Sequence, residues 1–329
     1  MRSRIRSIVT ATLAVVALLA ASTVSSAEVP LTEAPALAAS SAITVDIEQL
    51  ESALTCTGDL HDATQDPVLL TPAFANDTQS FGWNYLQSLP AQGFPVCSLS
   101  LPGEGYDDLQ IAAQYVVHAV RTMAAASGRQ VVMMGHQHGP LDNLWALKFW
   151  PDLPALVSDF ISLATPYNGT DSARTGCDRS QLCPPANWQI ATDSAFLTAL
   201  NAAPLPIGPS YTSIYTQFDQ LIYPQPRAST LAGGTSIAVQ DICPLRPVEH
   251  FGILGDNVVY QLVLDALTHD GAADPTRIHR SVCFTTMMPG TDPVISAEAT
   301  DIFYPLTSLI RLETDSVANE PELADYARN

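Results

Sequence analysis

The strongest constraint on the fold is a series of short, mostly apolar runs separated by stretches with helical spacing. Strands that are apolar at every position are typical of parallel sheets buried on both faces by helices. The candidate strands are residues 67–72, 94–101, 130–134, 160–164, 212–215 and 236–239. The pattern predicts an α/β fold with a mostly parallel central sheet and helices on both faces.

Helical spacing is clearest between the second and third of these runs. Apolar residues recur there at Leu109, Ala112, Val116, Ala119 and Met123. Aspartates at 107 and 108 and a glycine at 128 are typical start and stop signals, so a helix is predicted over 107–127. A second helix is predicted over 141–150 and a third over 301–312.

The N-terminus has the layout of an export signal. Arg2, Arg4 and Arg6 precede an apolar run over 8–21, and small residues at 25–27 form a plausible cleavage site. The run is short for a bilayer span and no second run follows, so the mature chain is predicted to be secreted and to lack a membrane span. Residues 28–43, rich in Ala and Pro, are a predicted mobile lead-in. Residues 44–329 are predicted to form one domain, with 172–209 as an insertion over the sheet.

Charge excludes one class of partner. The formal net charge is −19, and removal of three arginines with the signal would make it −22, while Lys148 is the only lysine. Such a surface repels nucleic acid and anionic lipid headgroups, so no nucleic-acid partner is expected. We expect a monomer without a cofactor.

Six cysteines in an exported chain indicate disulfides, although the sequence alone allows 15 pairings. Position favours Cys56–Cys97, Cys177–Cys183 and Cys243–Cys283. The alternative of a metal site is disfavoured because the chain has no C-x-x-C pair.

The sequence Gly-His-Gln-His-Gly at 135–139 follows a predicted strand and precedes a predicted helix. This is the layout of the nucleophile elbow G-x-S-x-G, in which small residues flank a strained turn. Gln137 occupies the central position, where an amide cannot act as the serine does. The chain has no other G-x-S-x-G to replace it.

Two later residues complete the order nucleophile, acid, base that is typical of α/β-hydrolases. Asp219 follows the predicted strand at 212–215, and His250 lies in the loop after the last predicted strand. Taken singly, each could be a solvated loop aspartate or a surface histidine. Together with the elbow, they favour a triad geometry.

His136 and His138 form an H-x-H pair, a pattern that also occurs in metal sites. Neighbouring side chains on an elbow point in different directions, and Asp142 is the only carboxylate nearby in sequence. No metal is therefore expected.

Many short segments, in order, carry a resemblance to a known family. They are LTCTG at 54–58, PVLLTP at 67–72, QSF at 79–81, GFPVC at 93–97, WALKFWP at 145–151, ATPYNGT at 164–170, YTQFD at 215–219, PQP at 224–226, VEH at 248–250 and EPELADYA at 320–327. In these segments the chain resembles the Candida antarctica lipase B family of secreted lipases and their bacterial relatives.

The resemblance implies that Asp219 is the triad acid, His250 the base, and Gln137 a substitute for the family's serine. It also implies that Phe74 stands where the family has a threonine that supplies backbone and hydroxyl donors to the oxyanion hole. Phe74 keeps only its backbone N–H, and the second donor would be the backbone N–H of His138. Both changes point to impaired hydrolysis.

Further implications concern the cysteines and the C-terminus. The resemblance supports Cys56–Cys97 and Cys243–Cys283, and it leaves Cys177 and Cys183 without a counterpart. In the family a C-terminal helix lines the substrate entrance, which is one role for residues 301–312. Packing on the core is the other.

Three functions remain open at this point. The chain is a lipase-like protein without serine-ester chemistry that still binds a lipid or small ester, an active esterase with an unrecognised nucleophile or mechanism, or an extracellular lipid-binding or interaction protein. The fold is common to all three. Asn76 and Asn168 lie in glycosylation patterns.

Overall fold

A seven-stranded sheet, in the order β1-β3-β2-β4-β5-β6-β7, forms the centre of the computed structural model, which describes residues 41–74, 80–291 and 315–328. β1 pairs antiparallel with β3, and all other neighbours are parallel. The strands are β1 Leu54–Thr57, β2 Val68–Thr71, β3 Val96–Leu99, β4 Val131–His136, β5 Val157–Leu163, β6 Ser210–Tyr215 and β7 Thr235–Ala238. Each predicted run overlaps one strand, whereas β1 was not predicted.

Helices cover the sheet. They are α1 Ile47–Ser52, α2 Tyr85–Ala91, α3 Leu109–Ser127, α4 Gly139–Phe149, α5 Asp171–Ser180, α6 Pro185–Gln189, α7 Ala195–Asn201, α8 Val239–Ile242 and α9 Asn257–Thr268. α3 begins after Asp108, whose side chain accepts a hydrogen bond from the Gln110 N–H at 2.9 Å, and it ends at Gly128 in the left-handed conformation. The prediction for this helix is correct to within two residues.

Alternate residues of the central strands enter two separate cores. In β4, Val131 and Met133 pack in the core that contains α3 and α4, while Val132 and Met134 pack in the core that contains α9. All four side chains are buried. The unbroken apolar run in the sequence therefore reflects a strand covered on both faces, and the predicted fold class is confirmed.

Three disulfides join the pairs that position favoured. Cys56–Cys97 links β1 to β3, Cys177–Cys183 closes the end of α5, and Cys243–Cys283 links the chain after α8 to the turn Arg280–Phe284.

Several predicted features lie outside the described residues: the signal peptide, most of the lead-in, Asn76 and the helix at 301–312. At the start of the described chain, the Ser41 hydroxyl donates to the carbonyl of Phe149 at 3.0 Å. Asn168 donates through Nδ2 to the carbonyls of Arg227 and Thr230, each at 2.8 Å. In the described part of the chain, no helix is long and apolar enough to cross a membrane.

Candidate active site

The turn between β4 and α4 holds Gln137 at a φ of +53°. Positive φ is costly for a residue with a long side chain, and it is typical of the central residue of a nucleophile elbow. The Gln137 N–H donates to the carbonyl of Leu163 at 2.8 Å, which fixes the turn against β5. The elbow geometry is therefore present, and glutamine occupies its centre.

The two glycines of the elbow are required by a close approach of the chain at the end of β2. A Cβ at Gly135 would lie 2.7 Å from the carbonyl oxygen of Thr71. A Cβ at Gly139 would lie 2.4 Å from the carbonyl oxygens of both Thr71 and Pro72. Because these contacts involve backbone atoms, a larger residue would force the two strands apart. The glycines thus have a structural reason that does not depend on which residue stands between them.

Asp219 and His250, predicted from their order in the chain, form a buried pair. His250 Nδ1 lies 2.9 Å from Asp219 Oδ2, and both side chains are inaccessible to solvent. The other carboxylate oxygen of Asp219 accepts from the N–H groups of Leu221 and Ile222, at 2.9 and 2.7 Å. A carboxylate on Nδ1 fixes the orientation of the imidazole, as in a hydrolase triad.

The other nitrogen of this imidazole has no partner. His250 Nε2 is buried and makes no hydrogen bond within the described residues. The amide of Gln137 likewise forms no hydrogen bond within them. In a serine hydrolase, Nε2 would accept the hydroxyl proton of the nucleophile. The acid and base are thus brought together, but the link from the base to the elbow residue is missing.

His136 packs on the back of the base. Its ring centroid is 4.7 Å from that of His250, and its Nε2 lies 3.2 Å from the carbonyl oxygen of His250, to which it donates. Burial, followed by the neighbouring His250, lowers the pKa of His136 well below its usual value. A neutral His136 therefore holds the backbone of the base in place.

His138 points to the opposite side and faces Asp142. Nδ1 of His138 lies 3.5 Å from Asp142 Oδ2, which is longer than a charge-assisted hydrogen bond, and both side chains are fully buried. Burial raises the pKa of Asp142 to about 6, and the nearby His138 offsets only part of this rise. The H-x-H pair is thus split by the elbow. The described residues contain no group of three metal-ligand side chains.

Phe74 lies beside the elbow, in contact with the ring of His138. Its ring stacks on Tyr106 with centroids 4.3 Å apart and contacts the ring of His138 at 4.6 Å. The backbone N–H groups of Phe74 and His138 donate to no other residue in the described ranges. Neither N–H group is thus used within the described residues, and Phe74 lacks the hydroxyl that a threonine would add.

A cavity of about 360 Å³ lies on Gln137. Its apolar wall includes Phe74, Ile190, Leu221, Ile222 and Phe251, and no described residue that lines it carries a charge. The remaining wall comes from α5 and α6, in the segment predicted as an insertion over the sheet. A larger cavity of about 580 Å³ lies beside the Cys243–Cys283 disulfide and is not lined by the elbow residue. The cavity at the elbow is the candidate site, because the acid–base pair adjoins it.

Comparisons with known proteins show which proteins the chain and its fold are similar to. No family model matches the chain. Lipase B of Pseudozyma antarctica is 30% identical over 227 residues, which span 66% of this chain and 66% of that protein. The structure is similar to lipase B of Aspergillus fumigatus, with a TM-score of 0.79 and 25% identity over 89% of this chain and 74% of the other. A Bacillus licheniformis lipase in its propeptide form has the same fold, with a TM-score of 0.55 and 16% identity over 67% of this chain and 54% of the other.

Proposed function

Because this chain belongs to the lipase B family of α/β-hydrolases, we propose that it is a member that has lost serine-ester hydrolysis and kept a ligand pocket. One observation carries the proposal. Gln137 occupies the elbow, Asp219 and His250 form a buried pair, and His250 Nε2 has no hydrogen-bond partner among the described residues.

The chemistry of the amide supports loss of hydrolysis. A primary amide has no proton that a histidine can remove to form a nucleophile, and it cannot form the covalent acyl ester of a serine hydrolase. Removal of the triad serine costs about 10⁶ in kcat in a serine protease. The hydroxyl donor missing at Phe74 adds a further loss of roughly 10²–10³. The serine loss is the larger effect, and both effects act in the same direction.

A nucleophile from elsewhere in the cavity has no support among the described residues. Hydroxyls that line the cavity belong to Thr170, Ser172 and Ser180. Thr170 Oγ1 donates to the carbonyl of Leu221, and the Ser180 hydroxyl donates to backbone carbonyls of its own turn. None of them pairs with His250, whose Nε2 is unpartnered. Without a base on any hydroxyl, the active-esterase alternative lacks an activated nucleophile.

A kept pocket favours binding over a purely structural role. The cavity lies within the 300–1,000 Å³ typical of small-molecule sites, and its wall is apolar with a few neutral polar groups. Such a wall suits an uncharged lipid or ester. Three disulfides and the predicted signal peptide support a place outside the cell.

Restoring the serine tests the proposal directly. Purified wild-type protein and Gln137→Ser are compared for turnover of p-nitrophenyl butyrate and for labelling by a fluorophosphonate probe. The wild type should show background turnover and no labelling. Gln137→Ser should raise turnover by about 10³–10⁴, since the serine supplies about 10⁶ and the missing oxyanion hydroxyl withholds roughly 10²–10³.

Two further variants make the result specific. Gln137→Ala should remain at background, because it opens the elbow without adding a nucleophile. Gln137→Ser combined with His250→Ala should lose the gain, because the serine then has no base. Robust labelling of the wild-type protein would contradict the proposal, since it requires an activated nucleophile that the site lacks.

A further inference from the structure

The amide of Gln137 is an unused two-point hydrogen-bonding group in the wall of the cavity. It carries a carbonyl acceptor and an NH₂ donor side by side, and neither forms a hydrogen bond within the described residues. Its backbone is fixed by the bond to Leu163 and by the positive φ of the elbow. The group is therefore held at the cavity with its hydrogen-bonding capacity unspent.

We propose that Gln137 recognises the head of an uncharged, apolar carboxamide, with which it pairs amide to amide. This inference rests on the proposed function, because it assigns a ligand class to the same pocket. A carboxamide offers an N–H to the Gln137 oxygen and a carbonyl to the Gln137 nitrogen. An ester offers only the carbonyl, so one half of the glutamine amide would remain unpaired against it.

Charge in the cavity wall distinguishes a carboxamide from a fatty carboxylate. No described residue that lines the cavity is charged, and the formal net charge of the chain is −19. A carboxylate would bring a negative charge into this apolar wall without a cation to pair with it, and burial of an unpaired charge is costly. A carboxamide has a similar shape but no charge, so it avoids that cost and offers both a donor and an acceptor.

The surroundings of Gln137 fit the body of such a ligand. Ile190, Leu221, Ile222 and Phe251 line the cavity together with the glutamine and provide an apolar surface for an alkyl chain. A volume of about 360 Å³ is near the lower end of the range for small-molecule sites, which favours a chain of medium length.

Direct binding of three matched ligands tests the inference. Decanamide, methyl decanoate and decanoate are titrated into the full-length protein by isothermal calorimetry at pH 7. We expect decanamide to bind about tenfold more tightly than methyl decanoate, since one extra net hydrogen bond is worth about a factor of ten. Decanoate should bind more weakly than both.

Variants at Gln137 identify the group responsible. Gln137→Met has nearly the same shape and no hydrogen-bonding amide, so the tenfold preference for decanamide over the ester should disappear. Gln137→Glu replaces the donor by a carboxylate and should weaken decanamide further. The control is Gln49→Met, an exposed glutamine on α1, which should keep the wild-type preference.

The results that would overturn this inference differ from the result that would overturn the proposed function. Equal binding of amide and ester by the wild type, a preference retained by Gln137→Met, or no binding of any of the three ligands overturns the inference. None of these results bears on the loss of hydrolysis, which the fluorophosphonate probe decides. If the wild type is labelled by that probe, the proposed function fails whichever ligand binds.

Discussion

Asp142 is a fully buried carboxyl group behind the elbow, and its replacement by asparagine should change how stability depends on pH. Burial raises the pKa of Asp142 from 3.8 to about 6 in the folded protein. Between pH 4 and pH 6, the folded state therefore binds more protons at this site than the unfolded state does. Stability from this group is greatest below pH 4 and is lost as the pH rises to about 6.

The size of the effect follows from the shift in pKa. A rise of roughly two units corresponds to about 3 kcal/mol of unfolding free energy, at 1.36 kcal/mol per unit. Because Asp142 is completely buried, solvent screening does not reduce this value. His138, 3.5 Å away, and the negative charge of Asp108 are the charged or titratable groups that act on Asp142; burial outweighs the lowering of its pKa by His138, and Asp108 adds to the rise.

Urea unfolding of wild-type protein and Asp142→Asn at pH 4, 5, 6 and 7 measures the difference. Relative to the variant, the wild type should lose about 2–3 kcal/mol of unfolding free energy between pH 4 and pH 7. Subtracting the two curves removes the contribution of Asp159, whose pKa is also raised to about 6 by burial. Glu48→Gln, on the exposed face of α1, should follow the wild type. Parallel curves for wild type and Asp142→Asn would refute the reasoning, since they would mean that His138 keeps Asp142 ionised throughout.

Two further predictions concern stability. Gly139→Ala should sharply lower the yield of soluble protein or the melting temperature, because its Cβ would lie 2.4 Å from two backbone oxygens, whereas Gly176→Ala, with no atom within 4 Å, should be tolerated. Equal melting temperatures for the two variants would exclude the close approach at the elbow. Arg246→Ala should lower the unfolding free energy by about 3–5 kcal/mol in urea, because it leaves the buried Asp256 without its cation at 2.5 Å. A loss below about 1 kcal/mol would show that the pair contributes no more than a solvent-exposed ion pair does.

Local sequence patterns predicted those strands whose own residues are sufficient to indicate a strand. Short, mostly apolar runs are typical of strands that are covered on both faces of a sheet, so β2 to β7 were recognisable. β1, Leu54–Thr57, was not, because it is a four-residue edge strand with mostly exposed side chains. Pairing with β3 and the Cys56–Cys97 disulfide hold it in the sheet. Those interactions are non-local.

Helix α9, Asn257–Thr268, is a different kind of omission, because its signals were present. Asp256 caps it through hydrogen bonds from the N–H groups of Val258 and Val259, and its buried residues recur at helical spacing. A start signal followed by that period was sufficient to predict it.

At the site, the order of the residues along the chain was informative, whereas the contacts that each side chain makes could not be predicted. The order of Asp219 and His250 along the chain predicted that these two residues would meet, since strand ends of a parallel sheet share one edge. The contact of His138 with Asp142, and the cavity wall supplied by α5 and α6, depend on packing between distant segments. No local pattern encodes such contacts.

A pair of catalytic type can persist in this chain for reasons that do not require catalysis. Asp219 accepts hydrogen bonds from Leu221 and Ile222, two residues of the cavity wall, as well as from His250. The backbone N–H of His250 is in turn held by the side chain of Gln220 at 3.0 Å. Loss of the carboxylate would leave several buried donors unpaired, at a cost of about 1–3 kcal/mol each. The Asp219–His250 pair therefore stabilises the wall of the pocket, and its presence alone does not indicate hydrolysis. Hydrolysis by the serine mechanism depends on the residue at the elbow, which here is Gln137.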